Sequence, residues 1–254
     1  MQHTLGSTSG IPTVVKNLLI VNGLMFLLKL VHPLHMSGDQ LDTLLGLHFF
    51  ASPLFKPWQL VTHMFMHGGI WHIALNMFAL FMLGPQVEYR WGSKRFFTYY
   101  MLCGLGAAFI YMGWQWFLNN EALSALSSAD LADVRAQVLR AAAGYEPVLH
   151  SEAASSAYDL FTQPMVGASG AIFGVLLAFG MLFPNVELTT FIYFFPIRMK
   201  AKWFVLLYGG FELYSGVANN PGDNTAHFAH IGGMAVGWFL VKHYERKLSQ
   251  QHFY

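Results

Sequence analysis

Four side chains that can do chemistry lie in parts of the chain that are otherwise almost free of charge. They are Ser169, His230, His72 and Asn76. A serine hydroxyl becomes a nucleophile when a neighbouring base takes its proton, and histidine is a common base. Ser169 lies in an apolar run of about twenty residues, 164–184. We therefore expect a Ser169–His230 pair that attacks a carbonyl group.

Such an attack also needs hydrogen-bond donors for the developing oxyanion, each contributing roughly 3 kcal/mol when preorganised. His72 and Asn76 are four residues apart, so they lie on one face of a helix. The backbone N–H of Ser169 is a third candidate donor. The sequence places no Asp or Glu at the expected depth of His230, which favours a dyad over a triad. Glu212 is a lone acid whose role, buried hydrogen-bonded acid or gate element, stays open at this point.

Each of these residues also has a purely structural interpretation. A serine in a Gly- and Ala-rich segment often only packs, and membrane histidines and asparagines often bond neighbouring helices. The expected location of all four in the outer third of three apolar runs favours chemistry.

A second histidine pair, His63 and His67, is also spaced four residues apart. This spacing suits a metal, with His72 or His227 as a third ligand. Hydrogen bonding to the preceding loop is the preferred interpretation, and we expect no metal and no cofactor.

Composition indicates a membrane protein with several spans. Hydrophobic residues make up 55% of the 254 residues and charged residues only 11%, about half the usual share for a soluble domain. The net charge of +1 and the lack of a basic tract argue against nucleic-acid partners. The single cysteine, Cys103, excludes a disulfide framework and a cysteine metal cluster.

Six apolar runs predict an all-α membrane protein, a bundle of six transmembrane helices. They cover residues 17–31, 69–84, 96–117, 164–183, 203–217 and 226–241. With both termini in the cytoplasm, ten of the 14 basic residues fall on the inner side, as the positive-inside rule favours. The predicted divisions are a cytoplasmic lead over 1–16, a membrane domain over 17–245 and a cytoplasmic tail over 246–254.

Two predicted outer segments are long. The first, 32–68, is rich in aromatic residues and is expected to lie in the membrane interface. The second, 118–163, contains a helix-capping sequence at Ser127 and apolar residues at helical spacing, and Gly144 ends the pattern. It predicts a short amphipathic helix on the outer surface.

Glycines indicate how the two reacting side chains meet. His230, Gly233 and Gly237 share one helix face, and Gly170 and Gly174 form a matching pair in the run that holds Ser169. Small residues at this spacing let helices approach closely. We expect this approach to bring Ser169 within hydrogen-bond reach of His230.

The assembled motifs resemble those of the rhomboid family of intramembrane serine proteases. The similar segments are Gly167-Ala-Ser-Gly-Ala-Ile-Phe-Gly174, His230-Ile-Gly-Gly233, His72-Ile-Ala-Leu-Asn76 and Glu88-Tyr-Arg90-Trp-Gly-Ser. The order of six spans is also that of the family.

The resemblance implies a role for each of these residues. Ser169 would be the nucleophile and His230 the base, with His72, Asn76 and the Ser169 amide as the oxyanion hole. Phe173 would stack on the imidazole. Glu88 and Arg90 would be structural and tie the turn between spans two and three.

The resemblance also implies an activity and partners. The substrates would be transmembrane segments of single-pass or multi-pass membrane proteins in the lipid bilayer, cut near the outer face. The alternative is a non-catalytic family member that binds membrane clients. The compact form suggests a bacterial plasma membrane. One departure is Gln59 after Trp58, where some members have arginine, which leaves the anchoring of the first outer loop open.

Overall fold

The computed structural model describes residues 10–31, 38–192, 195–218 and 226–251. The described chain is mostly helical. Its helices are α1 Thr13–Val31, α2 Gly38–Leu45, α3 Gln59–Thr62, α4 Ile70–Trp91, α5 Ser93–Ala125, α6 Ser128–Ala142, α7 Glu152–Thr162, α8 Ser169–Leu182, α9 Ala201–Ala218 and α10 His227–Gln251. Residues 1–9 of the predicted lead and 252–254 of the predicted tail lie outside the described residues, as do residues 32–37 at the start of the first outer segment.

Each of the six apolar runs forms a helix: α1, α4, α5, α8, α9 and α10. Among the described residues, three helices are long and apolar enough to cross a membrane, namely α1, α4 and α5. The helix α8 is apolar but has only 14 residues. At 1.5 Å per residue it is about 21 Å long, less than the roughly 30 Å of a hydrocarbon core.

The short helix α8 forms the centre of the bundle. It contacts α10, α5, α4 and α9, and nine of its 14 residues are buried. Its sequence contains mainly Gly, Ala and branched aliphatic residues, which allow neighbours on every side to approach. The position of its first turn is therefore fixed by several helices at once.

A β-hairpin between α8 and α9 corrects the all-α expectation. Strand β1, Glu187–Ile192, pairs antiparallel with strand β2, Phe195–Lys200, and Glu187 lies opposite Lys200. The segment is rich in β-branched residues such as Thr189 and Ile197, which favour extended backbone. It lies outside the apolar runs, so the argument that a spanning segment must be helical does not apply to it.

The outer segment 118–163 forms a helical pair on the bundle. The predicted amphipathic helix is α6, with Ser127 and Asp130 in a reciprocal capping box, and Gly144 follows its end with φ of +91°. The second helix, α7, was not predicted. The two helices bury a separate apolar cluster that includes Val138 and Phe161.

The first outer segment is anchored by Gln59, the residue that stands where some members of the resembled family have arginine. Gln59 is fully buried, and its amide donates to the carbonyl groups of Leu54 and Thr43. Its side-chain oxygen accepts from the backbone N–H groups of His48 and Lys56. A neutral amide therefore provides the anchoring that the departure left open.

The aromatic residues of this segment do not all face the interface. Phe49 is 4% exposed and packs against α6 and α7, whereas Phe50 and Trp58 are about half exposed. The first outer segment, expected to lie in the membrane interface, therefore packs in part against α6 and α7, because Phe49 joins the apolar cluster of these helices.

Candidate active site

Ser169 is the first residue of α8, five residues later than the predicted start of this span. The preceding residues are extended because Met165 pairs with Leu47, and the N–H of Gly167 donates to the carbonyl of His63. Gly167 has φ of +132°, a conformation that side chains rarely adopt. The helix therefore starts where this pinned segment ends, and Ser169 lies at its N-terminal tip.

Glycines place α10 directly against this tip. A methyl group on Gly233 would overlap the carbonyl oxygen of Gly170, and one on Gly237 would lie 2.5 Å from Tyr99 Oη and 3.3 Å from Gly174 Cα. The two backbones are thus in contact, with α5 packed behind both. The close approach expected from the glycine spacing is present.

Contact between these helices joins the serine to the histidine. Ser169 Oγ lies 2.8 Å from His230 Nε2, a hydrogen-bond distance. Phe173, one turn along α8, stacks on the imidazole with ring centroids 4.1 Å apart and planes inclined by 7°. His230 is 7% exposed, and one face of its ring is covered by an aromatic side chain. Its rotation is therefore restricted.

An acid also reaches the histidine, and the expectation that none does is wrong. Glu212 on α9 is 5% exposed, and its Oε2 lies 2.8 Å from His230 Nδ1 and 2.6 Å from His227 Nδ1. The sequence does not reveal this contact because Glu212 belongs to a different helix, and its depth depends on how α9 docks. Two roles were left open for Glu212, a buried hydrogen-bonded acid and a gate element, and its position fits the first.

His72 reaches the same site from α4. Its Nδ1 accepts from the N–H of Gly68 at 3.4 Å, which leaves the proton on Nε2. A methyl group on Gly167 would lie 2.8 Å from His72 Nε2 and 3.5 Å from Ser169 Oγ. The missing side chain of Gly167 therefore leaves a small space between a ring N–H and the serine hydroxyl.

Two further sets of hydrogen-bond donors lie close in the chain to these residues. The side chain of Asn76 is buried, and its Nδ2 donates one hydrogen to the carbonyl of His72 at 2.8 Å, so the second amide hydrogen remains. The first intrahelical bond of α8 runs from the N–H of Ile172 to the carbonyl of Ala168. The N–H groups of residues 169–171 precede it, and such groups at a helix start bind negative charge.

His63 and His67 lie apart from the group of potential metal ligands that the described residues bring together. His63 Nδ1 donates to the carbonyl of Gln59 at 2.8 Å, as the loop-fixing interpretation expects. The ring of His67 lies edge-on to that of His72, with centroids 5.1 Å apart. Within the described part of the chain, the one group of three His, Cys, Asp or Glu side chains with converging ligand atoms is Glu212, His227 and His230.

Glu88 and Arg90, the two residues with a predicted structural role, connect more of the fold than the turn between α4 and α5. The Glu88 carboxylate accepts from Ser93 Oγ in the α4–α5 turn, as expected, and also from the backbone N–H groups of residues 14–15 at the start of α1. Arg90 instead pairs with Glu245 on α10 at 2.7 Å. The sequence did not indicate this pairing because it joins residues 155 positions apart.

Similarity to known proteins agrees with the motifs. A family model described as the Rhomboid domain matches residues 54–246. Rhomboid protein 1, mitochondrial, of Saccharomyces cerevisiae is 25% identical over 191 residues, which cover 74% of this chain and 43% of that protein. RHOMBOID-like protein 4 of Arabidopsis thaliana is 26% identical over 183 residues, covering 72% and 33%. Rhomboid protease GluP of Bacillus subtilis is 42% identical over 48 residues, covering 19% and 10%. The chain therefore spans less than half the length of these relatives.

The contact between α8 and α10 predicts the effect of one added methyl group. Gly233→Ala forces the two backbones apart and is expected to lower the free energy of unfolding by about 2 kcal/mol, the range of an overpacked core. Thermal unfolding in detergent measures this. Gly113→Ala is the matched control, because a methyl group there meets no atom within 4 Å. Equal melting temperatures for the two variants would contradict the close contact.

The two loop histidines predict a loss of stability in acid. Burial lowers the pKa of His63 from 6.5 to about 4, against the hydrogen bond to Gln59, which raises it. Burial, followed by the nearby charge of His72, lowers the pKa of His67 to about 4. Between pH 6.5 and 4 the unfolded chain binds protons that the folded chain does not, so stability falls as the pH falls, by up to about 3 kcal/mol per histidine.

Thermal unfolding in detergent at pH 7.5, 6, 5 and 4 checks this pH dependence. The parent is expected to lose stability steadily below pH 6.5. A His63→Gln/His67→Gln double variant is expected to show a shallower decline, even if it is less stable at pH 7.5. Parallel declines for the two proteins would show that these histidines do not cause the effect.

Proposed function

This chain belongs to the rhomboid family, and from that premise we propose that it is an intramembrane serine endopeptidase acting through Ser169 and His230. The observation that carries the proposal is the distance of 2.8 Å between Ser169 Oγ and His230 Nε2. Family membership supports protease activity in general. One similar protein, that of Bacillus subtilis, is named a rhomboid protease.

In the proposed reaction, His230 Nε2 takes the hydroxyl proton as Ser169 Oγ bonds to the carbonyl carbon of the substrate peptide. The resulting tetrahedral intermediate collapses when the carbon–nitrogen bond breaks and the imidazolium gives its proton to the leaving amine. A water molecule then attacks the acyl-enzyme, again with His230 as the base, and releases the carboxyl product and the free serine. No cofactor is needed for these steps.

Negative charge on the substrate oxygen is proposed to develop beside Gly167. The ring N–H of His72 borders this position. The second amide hydrogen of Asn76, one turn along α4, and the N–H of Ser169 at the start of α8 are the other proposed donors. Donors fixed before the reaction stabilise the transition state more than the substrate, because the charge appears only in the transition state.

The short α8 supports cleavage within the depth of a membrane. We propose six crossing helices, α1, α4, α5, α8, α9 and α10, with both termini in the cytoplasm, as the distribution of basic residues favours. A helix about 21 Å long is about 9 Å shorter than the hydrocarbon core, and we propose that its N-terminal end is the one that falls short of the bilayer face. Ser169 at that tip would meet a transmembrane segment of another protein near the outer face.

The proposed substrates are transmembrane segments of single-pass or multi-pass membrane proteins. The division into a lead over 1–16, a membrane domain over 17–245 and a tail over 246–254 also remains a proposal. The yeast relative carries a mitochondrial name, so a bacterial plasma membrane gains no support from it and stays a prediction.

The dyad is tested by cleavage of a model single-span substrate in liposomes. Ser169→Ala and His230→Asn are expected to abolish cleavage, because one removes the nucleophile and the other the base. Ser124→Ala and His243→Gln are matched controls, since both parent residues are exposed. Undiminished cleavage by either dyad variant would exclude the proposed mechanism.

The proposed oxyanion donors predict a loss of turnover. His72→Ala and Asn76→Ala are each expected to lower kcat by about 100-fold or more while changing KM little, because the donors act in the transition state. Leu75→Ala, which alters a 65% exposed residue on the same helix, is the control. A rise in KM at constant kcat would instead assign these residues to substrate binding.

A further inference from the structure

Glu212 is a buried carboxylate on a helix face that is otherwise made of small and apolar residues. The buried positions of α9 are Ala201, Val205, Glu212 and Gly216, spaced so that they form one stripe towards the bundle. Most large apolar side chains of α9 point outwards and are exposed. The acid therefore occupies the contact stripe itself and not the outer surface of the helix.

Burying a carboxylate in an apolar setting costs several kcal/mol unless hydrogen bonds or opposite charge compensate. Here one carboxylate oxygen, Oε2, lies within hydrogen-bond distance of two imidazole nitrogens. It is 2.6 Å from His227 Nδ1 and 2.8 Å from His230 Nδ1. Gly216, one turn further along α9, faces the ring of Phe228, and a methyl group there would lie 2.7 Å from that ring. The absence of a side chain at Gly216 lets α9 come close enough for the carboxylate to reach.

The hydrogen bond from His230 fixes which ring nitrogen carries the proton. An ionised carboxylate only accepts, so both Nδ1 atoms must carry hydrogen. His230 Nε2 is then unprotonated and faces Ser169 Oγ, the arrangement that a general base needs. Phe173 restrains the plane of the ring, and Glu212 restrains its rotation within that plane.

We infer that Glu212 is a positioning residue for the proposed reaction, the third member of a Ser169–His230–Glu212 relay. The inference rests on the proposed dyad and adds to it. Glu212 holds the Nδ1–H tautomer of His230 and stabilises the imidazolium that forms when the serine loses its proton. Because Glu212 belongs to α9 and His230 to α10, the base is correctly set only while α9 lies against α10.

The same three side chains do not need a metal ion to account for their geometry. Two ligand atoms around a tetrahedral zinc ion are separated by about 3.3 Å, as follows from zinc–nitrogen distances near 2.0 Å. The separations of 2.6 and 2.8 Å are those of direct hydrogen bonds. A positioning role is therefore the interpretation that the distances favour.

The test compares Glu212→Gln with the parent in steady-state cleavage of a single-span substrate. Glutamine keeps the size of the side chain but removes the charge and offers an amide hydrogen to the ring. We expect kcat to fall at least about tenfold with KM within twofold of the parent, because Glu212 acts through His230 and not on the substrate. Glu88→Gln alters another buried glutamate, at the end of α4 far from His72. It controls for a general loss of stability on removing a buried charge and should keep the parent kcat.

A second measurement keeps the test decisive if Glu212→Gln does not fold. Nitrogen-15 NMR of the parent, labelled at histidine and assigned with His230→Asn, reports which ring nitrogen carries hydrogen. The inference requires hydrogen on Nδ1 and none on Nε2 of neutral His230. Hydrogen on Nε2 would overturn it.

Three other outcomes separate this inference from the proposed function. A parent-like kcat in Glu212→Gln, with Ser169→Ala inactive, overturns the role of Glu212 and leaves the dyad intact. Cleavage by Ser169→Ala overturns the dyad and the relay together. Loss of parent activity on chelation also overturns the relay, because the carboxylate would then serve a metal.

Discussion

The contact between the backbones of α8 and α10 is the constraint on which the rest of the site depends. Where Gly170 meets Gly233, even one methyl group would overlap a carbonyl oxygen. Leucine or valine at such positions would add packing area but would separate the helices by several ångströms, which is more than a hydrogen bond tolerates. The glycines thus give up side-chain packing, and the close helix contact that results brings the serine and the histidine into direct contact.

A second constraint is the start of α8. Because residues before Ser169 are pinned by Met165 and Gly167 to the first outer segment, the helix begins within the bundle and not at its surface. This places unpaired N–H groups, a positive helix end and the hydroxyl at one point. The outer segment, held by the fully buried Gln59, therefore contributes to the site although it supplies none of the reacting atoms.

The sequence predicted what depends on local spacing. The lengths of the apolar runs identified the six helices that they form, a capping sequence with helical spacing identified α6, and glycine spacing predicted the contact of Ser169 with His230. It did not predict what depends on docking between distant segments. The bond of Glu212 to His230, the pairing of Arg90 with Glu245, and the later start of α8 all arise from partners elsewhere in the fold.

Labelling with a serine-directed fluorophosphonate, followed by peptide mapping, tests most directly whether this arrangement activates Ser169. The probe needs no substrate, so its reaction reports the nucleophile alone. An activated Ser169 predicts one modified peptide that contains Ser169 in the parent, and none in His230→Asn at the same reaction time. Labelling of a different residue, or equal labelling of Ser169 in both proteins, would contradict activation of this serine by His230.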